Sequence, residues 1–431
     1  MSQHAPVLSR RGVLRAAAAV TATGALASCG KNDDGQAAGG VVEVELWHGQ
    51  VDTGKAAIDA LINEFNRTHP AIRVNGGGGG VTADSMLQKV TAGLAAGSYP
   101  DIAYIFGSDL ASLTRSPKVA DLSGSLHLDD FWPAARDAVT VKDKVRAAPA
   151  LLDSLCLVYN KKLFAAAGLP APEPGWTWDD FITTAKALTN PGKGVFGTGW
   201  PGVGDEDTVW RLWPMIWDLG GDVATQDGKK VAFDQVGAKA LGTLDRLRTD
   251  RSLYVDPKPG SEQLYQVFLG GRMGMVATGP WQLPDLQTKG IEYGVVPLPT
   301  YSGKPVTISG PDTWTVFDNG KAKVKAASEF VNWLIQPQQD IKWDVQGGSL
   351  PLSKATAATP AWTKHATETA GLKVFVDALD SARVRPTITA YPKISQFLGE
   401  AIVSVLLGRK SPDDAIKQAV DQSNAVLAVP S

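Results

Sequence analysis

The sequence predicts an α/β protein organised as two domains, and three observations predict it. The chain has 431 residues, too many for one ordinary hydrophobic core, because domains cluster at about 100–200 residues. Its first part alternates strand-like and helix-like hydrophobic periods. Two segments, Val145–Tyr159 and Ile291–Leu298, have the apolar pattern of strands that cross between domains.

The folded part is expected to begin near Val41. Val42, Val44 and Leu46 alternate with Glu43, Glu45 and Trp47, the period of a strand. Ile58, Leu61, Ile62 and Phe65 follow at helical spacing, on a helix that must stop before Pro70. Ile72–Val74 is a short second strand. Met86, Leu87, Val90 and Leu94 mark the next helix, and Asp101–Phe106 the third strand. This alternation implies a largely parallel sheet. The glycine run 76–80 is not followed by Gly-Lys-Ser/Thr, so it is not a phosphate-binding P-loop. Further on, helices are expected on Val324, Ala327, Phe330, Val331 and Leu334, and on Ile394, Phe397, Leu398, Ala401, Ile402 and Val405. A last helix opens with Ser411-Pro412-Asp413-Asp414: an N-cap serine, a proline at the first helical position, and acids that complement the helix dipole.

Composition narrows the function. With 44% hydrophobic and 20% charged residues and a net charge of −2, nothing suggests a polyanionic partner, so nucleic acid is excluded. No stretch reaches the roughly 20 apolar residues of a spanning helix. The two cysteines, Cys29 and Cys156, are not expected to pair. Cys156 lies in the apolar run Leu155–Tyr159 and reads as an inert buried thiol. Thirteen tryptophans are an unusual store of flat aromatic surface.

Residues 1–28 contain no acid. Arg10, Arg11 and Arg15 precede the small, mostly apolar run Ala16–Ala27, the layout of a signal peptide. Ser9–Arg15 resembles a twin-arginine export signal, and Leu26-Ala27-Ser28-Cys29 resembles a lipobox, which implies cleavage before Cys29 and lipidation of its thiol. Two acyl chains suffice for stable anchoring. The Gly-, Asp- and Ala-rich residues 29–40 then read as a lipidated tether.

Beyond the tether the chain resembles the family 1 extracellular solute-binding proteins of ABC importers, the group that includes maltose-binding protein. The resemblance is carried, in order, by Glu45–His48, Glu64–Pro70, Gly97–Ile102, Leu157–Phe164, Trp176–Phe181, Met275–Trp281 and Tyr293–Pro299. It implies a two-lobed periplasmic-binding-protein fold of type II-like topology, with a ligand cleft between the lobes and hinge crossings. The crossings are expected near Ala150, Gly294 and 317–320. The lobes are therefore drawn as 41–150 plus 294–318, and 151–293 plus 319–431. The implied partners are a carbohydrate and a permease, with no cofactor or metal; the chain is expected to act as a monomer touching the membrane through its lipid alone.

A sugar presents apolar C–H faces and a ring of hydroxyls, so its site needs aromatic platforms and paired polar groups. In the family, the loop after the first strand opens onto the cleft, which nominates Trp47, His48 and Gln50, with Trp47 either a platform or a core ring. Phe106 and Asp109 resemble aromatic and acidic ligand positions. Asp153 falls at the first crossing, among Leu151, Leu152 and Leu155, where an acid needs a partner. Trp281 matches a stacking position. Among Trp200, Trp210, Trp213 and Trp217, Trp210 is the favoured platform, because Trp213 and Trp217 share a helical face. Asp312, Gly348 and Tyr391 complete the set, with either Arg383 or Arg385; Arg385 is carried forward. Trp314 is equally a core or a cleft ring.

An enzyme is the rival class. A glycosidase needs two carboxylates about 5–9.5 Å apart, but the acid pairs Asp129-Asp130, Asp179-Asp180 and Asp413-Asp414 each precede a helical pattern and read as helix-start charge. The five histidines are scattered, without metal-ligand spacing, and there is no Gly-x-Ser-x-Gly. A second rival stays within the family: a binder of glycerol phosphodiesters, which would turn an arginine of the 383–385 region on the phosphate.

Overall fold

Val44 and Leu46 are fully shielded from solvent while Glu45 between them is exposed, so the alternation in the sequence is the two-faced strand Val42–Trp47. The computed structural model describes residues 40–428 except Thr82; Cys29, the signal peptide and nearly all of the tether lie outside the described residues. Ile58, Leu61, Ile62 and Phe65 form the buried face of the helix Asp52–Thr68. Strands Ile72–Gly77 and Ile102–Phe106 pair in parallel on either side of Val42–Trp47. Asp312–Val316 follows and runs antiparallel to both Ile102–Phe106 and Ala148–Leu151.

The second sheet repeats this plan. Cys156–Asn160 lies antiparallel between Met275–Thr278 and Tyr293–Val296. Backbone bonds from Gly274 and Met275 to Phe196 and Gly197 join on the parallel pair Thr198–Pro201 and Leu253–Asp256. In each sheet the strand that opposes its neighbours, Cys156–Asn160 or Asp312–Val316, is the one that has just arrived from the other lobe. A strand entering from the far side has to run the other way.

These pairings place the passages between lobes differently from the sequence-based division. The first passage is 152–155, between Ala148–Leu151 and Cys156–Asn160. The second is not near Gly294: Tyr293–Val296 is a ladder strand of the second sheet, and the chain crosses at 309–311. Nor does a crossing lie at 317–320. The helix Lys321–Leu334 packs Phe330 onto Phe65 with ring centroids 4.8 Å apart. The helix Pro337–Gly347 packs alongside Asp52–Thr68, where Lys342 pairs with Glu64 at 2.6 Å. Both helices belong to the first lobe. The return falls between Gly347 and Leu372, since Leu372–Ala378 packs on the second sheet and Ser154 donates to the Phe375 carbonyl at 2.7 Å. Helices Tyr391–Leu406 and Pro412–Leu427 then pack on each other and on Gly237–Thr249. Amphipathic period alone finds such helices but does not say which sheet their apolar face meets.

Local signals explain the paired acids. Thr177 and Asp180 form a reciprocal capping box at the helix Trp178–Leu188, and the Ser411 hydroxyl accepts from the Asp414 N–H at 3.2 Å. Asp130 caps a different helix from the one it precedes: its carboxylate accepts the Ala355 N–H at 2.8 Å.

One acid pair is buried instead. Asp340 and Asp344 stand one helical turn apart, and both are shielded. Asp340 accepts the Leu352 N–H at 3.1 Å and the Thr356 hydroxyl at 2.6 Å, and Asp344 accepts the Ser349 hydroxyl at 2.7 Å. Together they hold the segment leaving helix Pro337–Gly347. Burial pushes Asp340 up to about 7, and burial plus repulsion from Asp340 raises Asp344 as well. A carboxyl whose pKa is higher folded than unfolded contributes fully below its ordinary value, 3.8 here; that contribution drains away as pH climbs toward the folded value. The Asp344→Asn variant, which keeps the acceptor for Ser349 and removes a charge, should therefore melt higher than the parent at pH 8. At pH 4 the difference should largely vanish, as read by thermal unfolding across that range.

Candidate functional site

The two sheets face each other across a cavity of about 590 Å³, within the size range of small-molecule sites. Its floor is made by the first two crossings. The Gly310 N–H donates to Asp153 Oδ1 at 2.6 Å, so one passage is bonded to the other. This contact also supplies the partner that an acid among leucines requires. Burial lifts the Asp153 pKa to about 6, and the Gly310 N–H and Arg385 hold it from rising further.

The first lobe contributes Gln50, Tyr104, Phe106 and Asp312 to the lining. Gln50 follows the first strand, and Phe106 ends the third, so both stand at strand ends that open on the cleft. The Tyr104 hydroxyl donates to Asp312 Oδ2 at 2.5 Å across the neighbouring strand. The second lobe contributes Trp210 and Trp281, whose ring centroids are 5.8 Å apart at 45°. The indole N–H of Trp210 is buried without a protein partner beside Gly310. A Cβ at Gly310 would come within 2.9 Å of that nitrogen and 3.1 Å of Arg385 Nη2, so glycine lets both side chains reach the floor.

Of the two candidate arginines, Arg385 lines the cavity, while Arg383 is on the surface, bound to Asp222 at 2.5 Å with its guanidinium 4.9 Å from the Trp217 ring centre. Arg385 donates to Glu206 Oε1 at 2.5 Å, and the same oxygen accepts the Tyr391 hydroxyl at 2.7 Å. The Ser395 hydroxyl binds the other oxygen. Burial works against the Arg385 charge, but Glu206 outweighs it and keeps the guanidinium a cation.

Other expected residues stand apart from the lining. His48 is fully buried, and its Nδ1 accepts the Gln50 N–H at 3.0 Å, so it shapes the turn that presents Gln50. Burial lowers its pKa and favours the neutral ring. Trp47 is half-buried against the second helix of the first lobe, with Lys89 Nζ 4.5 Å from its ring centre. Asp109 is not among the lining residues but lies near Glu206 and Arg385, where burial and then repulsion from Glu206 raise it to about 7. Gly348 has φ +74°, and a Cβ there would meet the Trp281 backbone at 2.6 Å; it seats Trp281, while its neighbour Gly347 lines the cleft. Tyr391 is fully buried, its hydroxyl on Glu206. Trp314 is a core ring, 5.1 Å from Tyr104 and 6.0 Å from Trp343. Trp213 and Trp217 are both buried.

Sequence reasoning missed Glu206, Asp207 and Tyr265, which all line the cavity. The two acids follow the strand Thr198–Pro201, and the strand-end rule would have found them. Asp207 binds the buried Arg211, which in turn donates to the Tyr265 hydroxyl at 2.7 Å; nothing local in the sequence marks that tyrosine.

Glu206 is the counter-charge of a buried arginine, and removing one member of such a pair strands the other. Glu206→Gln keeps the shape and removes the charge. It should cost about 3 kcal/mol of stability, read as a lower urea midpoint with an unchanged slope.

Comparison with known proteins agrees with this architecture. The profile of the family described as bacterial extracellular solute-binding protein matches residues 49–341. An uncharacterized lipoprotein from the oleD 5′ region of Streptomyces antibioticus is 27% identical over 71% of this chain and 69% of its own length. The sn-glycerol-3-phosphate-binding periplasmic protein UgpB of Rhizobium meliloti (strain 1021) is 22% identical over 90% of this chain and 94% of its own. Among solved structures, the cyclic alpha-maltosyl-1,6-maltose binding protein from Arthrobacter globiformis superposes with a TM-score of 0.75 at 28% identity, covering 90% of this chain and 100% of that one. Family and structural neighbours alike are binding proteins and not enzymes. With two sheets, a cleft between them and a profile match across most of its length, this chain belongs to the bacterial extracellular solute-binding proteins.

Proposed function

We propose that the chain captures a sugar or oligosaccharide outside the cytoplasm and hands it to the membrane permease of an ABC importer. The observation that carries this reading is the facing of the Trp210–Trp281 pair against the polar floor of Asp153, Asp312 and Arg385. Indole faces suit the C–H face of a pyranose, and buried carboxylates and a guanidinium suit its hydroxyls. Leaving one such buried group unpaired costs about 1–3 kcal/mol, so the pattern of hydroxyls would set specificity. The binding protein from Arthrobacter globiformis, named for an oligosaccharide, supports the same choice.

A glycerol phosphodiester is the second reading, favoured by the relative named for glycerol-3-phosphate. Such a ligand needs a cation for its phosphate. Arg385 is the one cation among the described residues lining the cavity, and Glu206 already binds it. This observation favours the sugar.

Capture is by hinge closure. The ligand would dock on one lobe and draw the other onto it, shifting the population toward the closed form by as much as that form binds it better. The three passages between lobes are the natural hinge. Tryptophan fluorescence of the full chain, titrated with mono- and oligosaccharides and with glycerol phosphodiesters, should show a saturable change with one sugar class. Trp281→Ala and Asp153→Ala should each weaken it by about tenfold or more, the equivalent of about 1.4 kcal/mol. Small-angle scattering on the same samples should show a smaller radius of gyration with ligand. An unchanged radius at saturation removes the hinge from this reading, and a response to phosphodiesters alone removes the sugar.

The extracytoplasmic anchor is read from Cys29 and the basic, acid-free leader before it, and the relative described as a lipoprotein supports it. The leader would export the chain, and the acylated Cys29 would hold it on the outer face of the membrane. In cells, Cys29→Ser should move the chain from the membrane fraction to the soluble extracytoplasmic fraction. If the variant stays with the membrane, the anchor lies elsewhere.

A further inference from the structure

The charge of the cleft is one-sided. Among the described residues that line it, Asp153, Glu206, Asp207, Glu262, Asp285 and Asp312 are acids and Arg385 is the one cation. Behind them Arg211 faces Asp207, and Asp109 adds another acid beside Glu206 and Arg385. Low-dielectric walls focus such an imbalance. It attracts a positive ligand and repels a phosphate.

A second feature indicates what sort of cation is held. Trp210 is 6% exposed, and its indole N–H is buried, has no protein partner and stands beside Gly310 in the cavity wall. It is a donor that an acceptor on an occupant can satisfy. The Trp210 and Trp281 faces stand at the same place, and aromatic faces stabilise a nearby cation as well as a sugar ring. A bare metal ion would use neither an N–H donor nor two indole faces. The described residues also contain no grouping of three or more His, Cys, Asp or Glu arranged to hold one.

Resting on the carbohydrate reading above, we propose that the preferred ligand is a sugar bearing a protonated amine. Its ring lies on Trp210 and Trp281, a ring or hydroxyl oxygen accepts from the Trp210 N–H, and its ammonium faces the acids around Asp153. An ammonium has three donors and no acceptor, which matches a floor rich in carboxylate oxygens. The same charge discriminates against acidic sugars and phosphodiesters through like-charge repulsion.

The test compares matched sugars by calorimetric titration of the full chain. Glucose, galactose and mannose would each be set against the 2-amino and 2-acetamido forms. Cellobiose and cellotriose would be set against the corresponding chitosan and chitin oligomers. At low ionic strength an amino sugar should bind at least tenfold tighter than its neutral and acetylated counterparts. That advantage should shrink several-fold in 0.5 M salt, on the order expected when the screening length falls to a few ångströms. Asp153→Asn, checked for an intact melting transition, should cut the amino-to-neutral ratio at least threefold. Neutral sugars that bind as tightly as their amino forms overturn the amine preference and leave the carbohydrate reading standing. If no sugar of any kind binds while glycerol phosphodiesters do, or if nothing binds, both are overturned. A preference for the amine that salt does not weaken would remove the electrostatic cause and the proposal with it.

Discussion

A chain that passes between two sheets must put backbone and side chains on the floor of the space between them. Here that floor is tied by one hydrogen bond, from the Gly310 N–H to Asp153 Oδ1. It joins the outgoing passage to the returning one, fixes the carboxylate of an otherwise unfavourably buried acid, and leaves a bare Cα where Trp210 and Arg385 approach. The lobes, the first two passages between them and the cleft lining all meet at these two residues. The antiparallel strand in each sheet follows from the same geometry.

Around this point the structure sets few cations against many acids. Glu206 gathers Arg385, Tyr391 and Ser395 onto one carboxylate, and Arg211 joins Asp207 to Tyr265. These two arginine-centred groups keep the second-lobe wall rigid and pre-positioned, which reduces what a ligand must order on binding. Burial raises the pKa of Asp153, and burial with repulsion from Glu206 raises that of Asp109. A cleft in that condition gains from a positive or hydrogen-bond-donating occupant.

Much of this was legible in the residues. Alternation of Val42, Val44 and Leu46, the helical spacing of Ile58 to Phe65 and the Ser411 cap are local rules obeyed locally, and the structure has each element. The family resemblance, with the rule that ligand sites open at strand ends, pointed to Gln50 and Phe106, and the resemblance with the cost of an acid among leucines pointed to Asp153. The same rule, carried one strand further, would have found Glu206 and Asp207. It could not have found Tyr265 or Trp343, because a helical aromatic reads alike whether its face meets a core or a cavity. The misplaced crossings at Gly294 and 317–320 have the same cause: an apolar strand or helix looks identical in either lobe.

The sequence by itself determined the element types, the α/β class and the supply of aromatic and acidic residues near strand ends, because periodicity, capping and desolvation act over a few neighbours. The tertiary structure alone decided which lobe owns residues 321–347 and that Arg385, not Arg383, faces the cleft. It also turned His48 and Gly348 into supports behind the wall and set Trp47 beside Lys89, away from the cleft. Those outcomes depend on which surfaces meet across hundreds of residues, and the packing free energy that selects them belongs to the assembled pair of lobes and to no single segment.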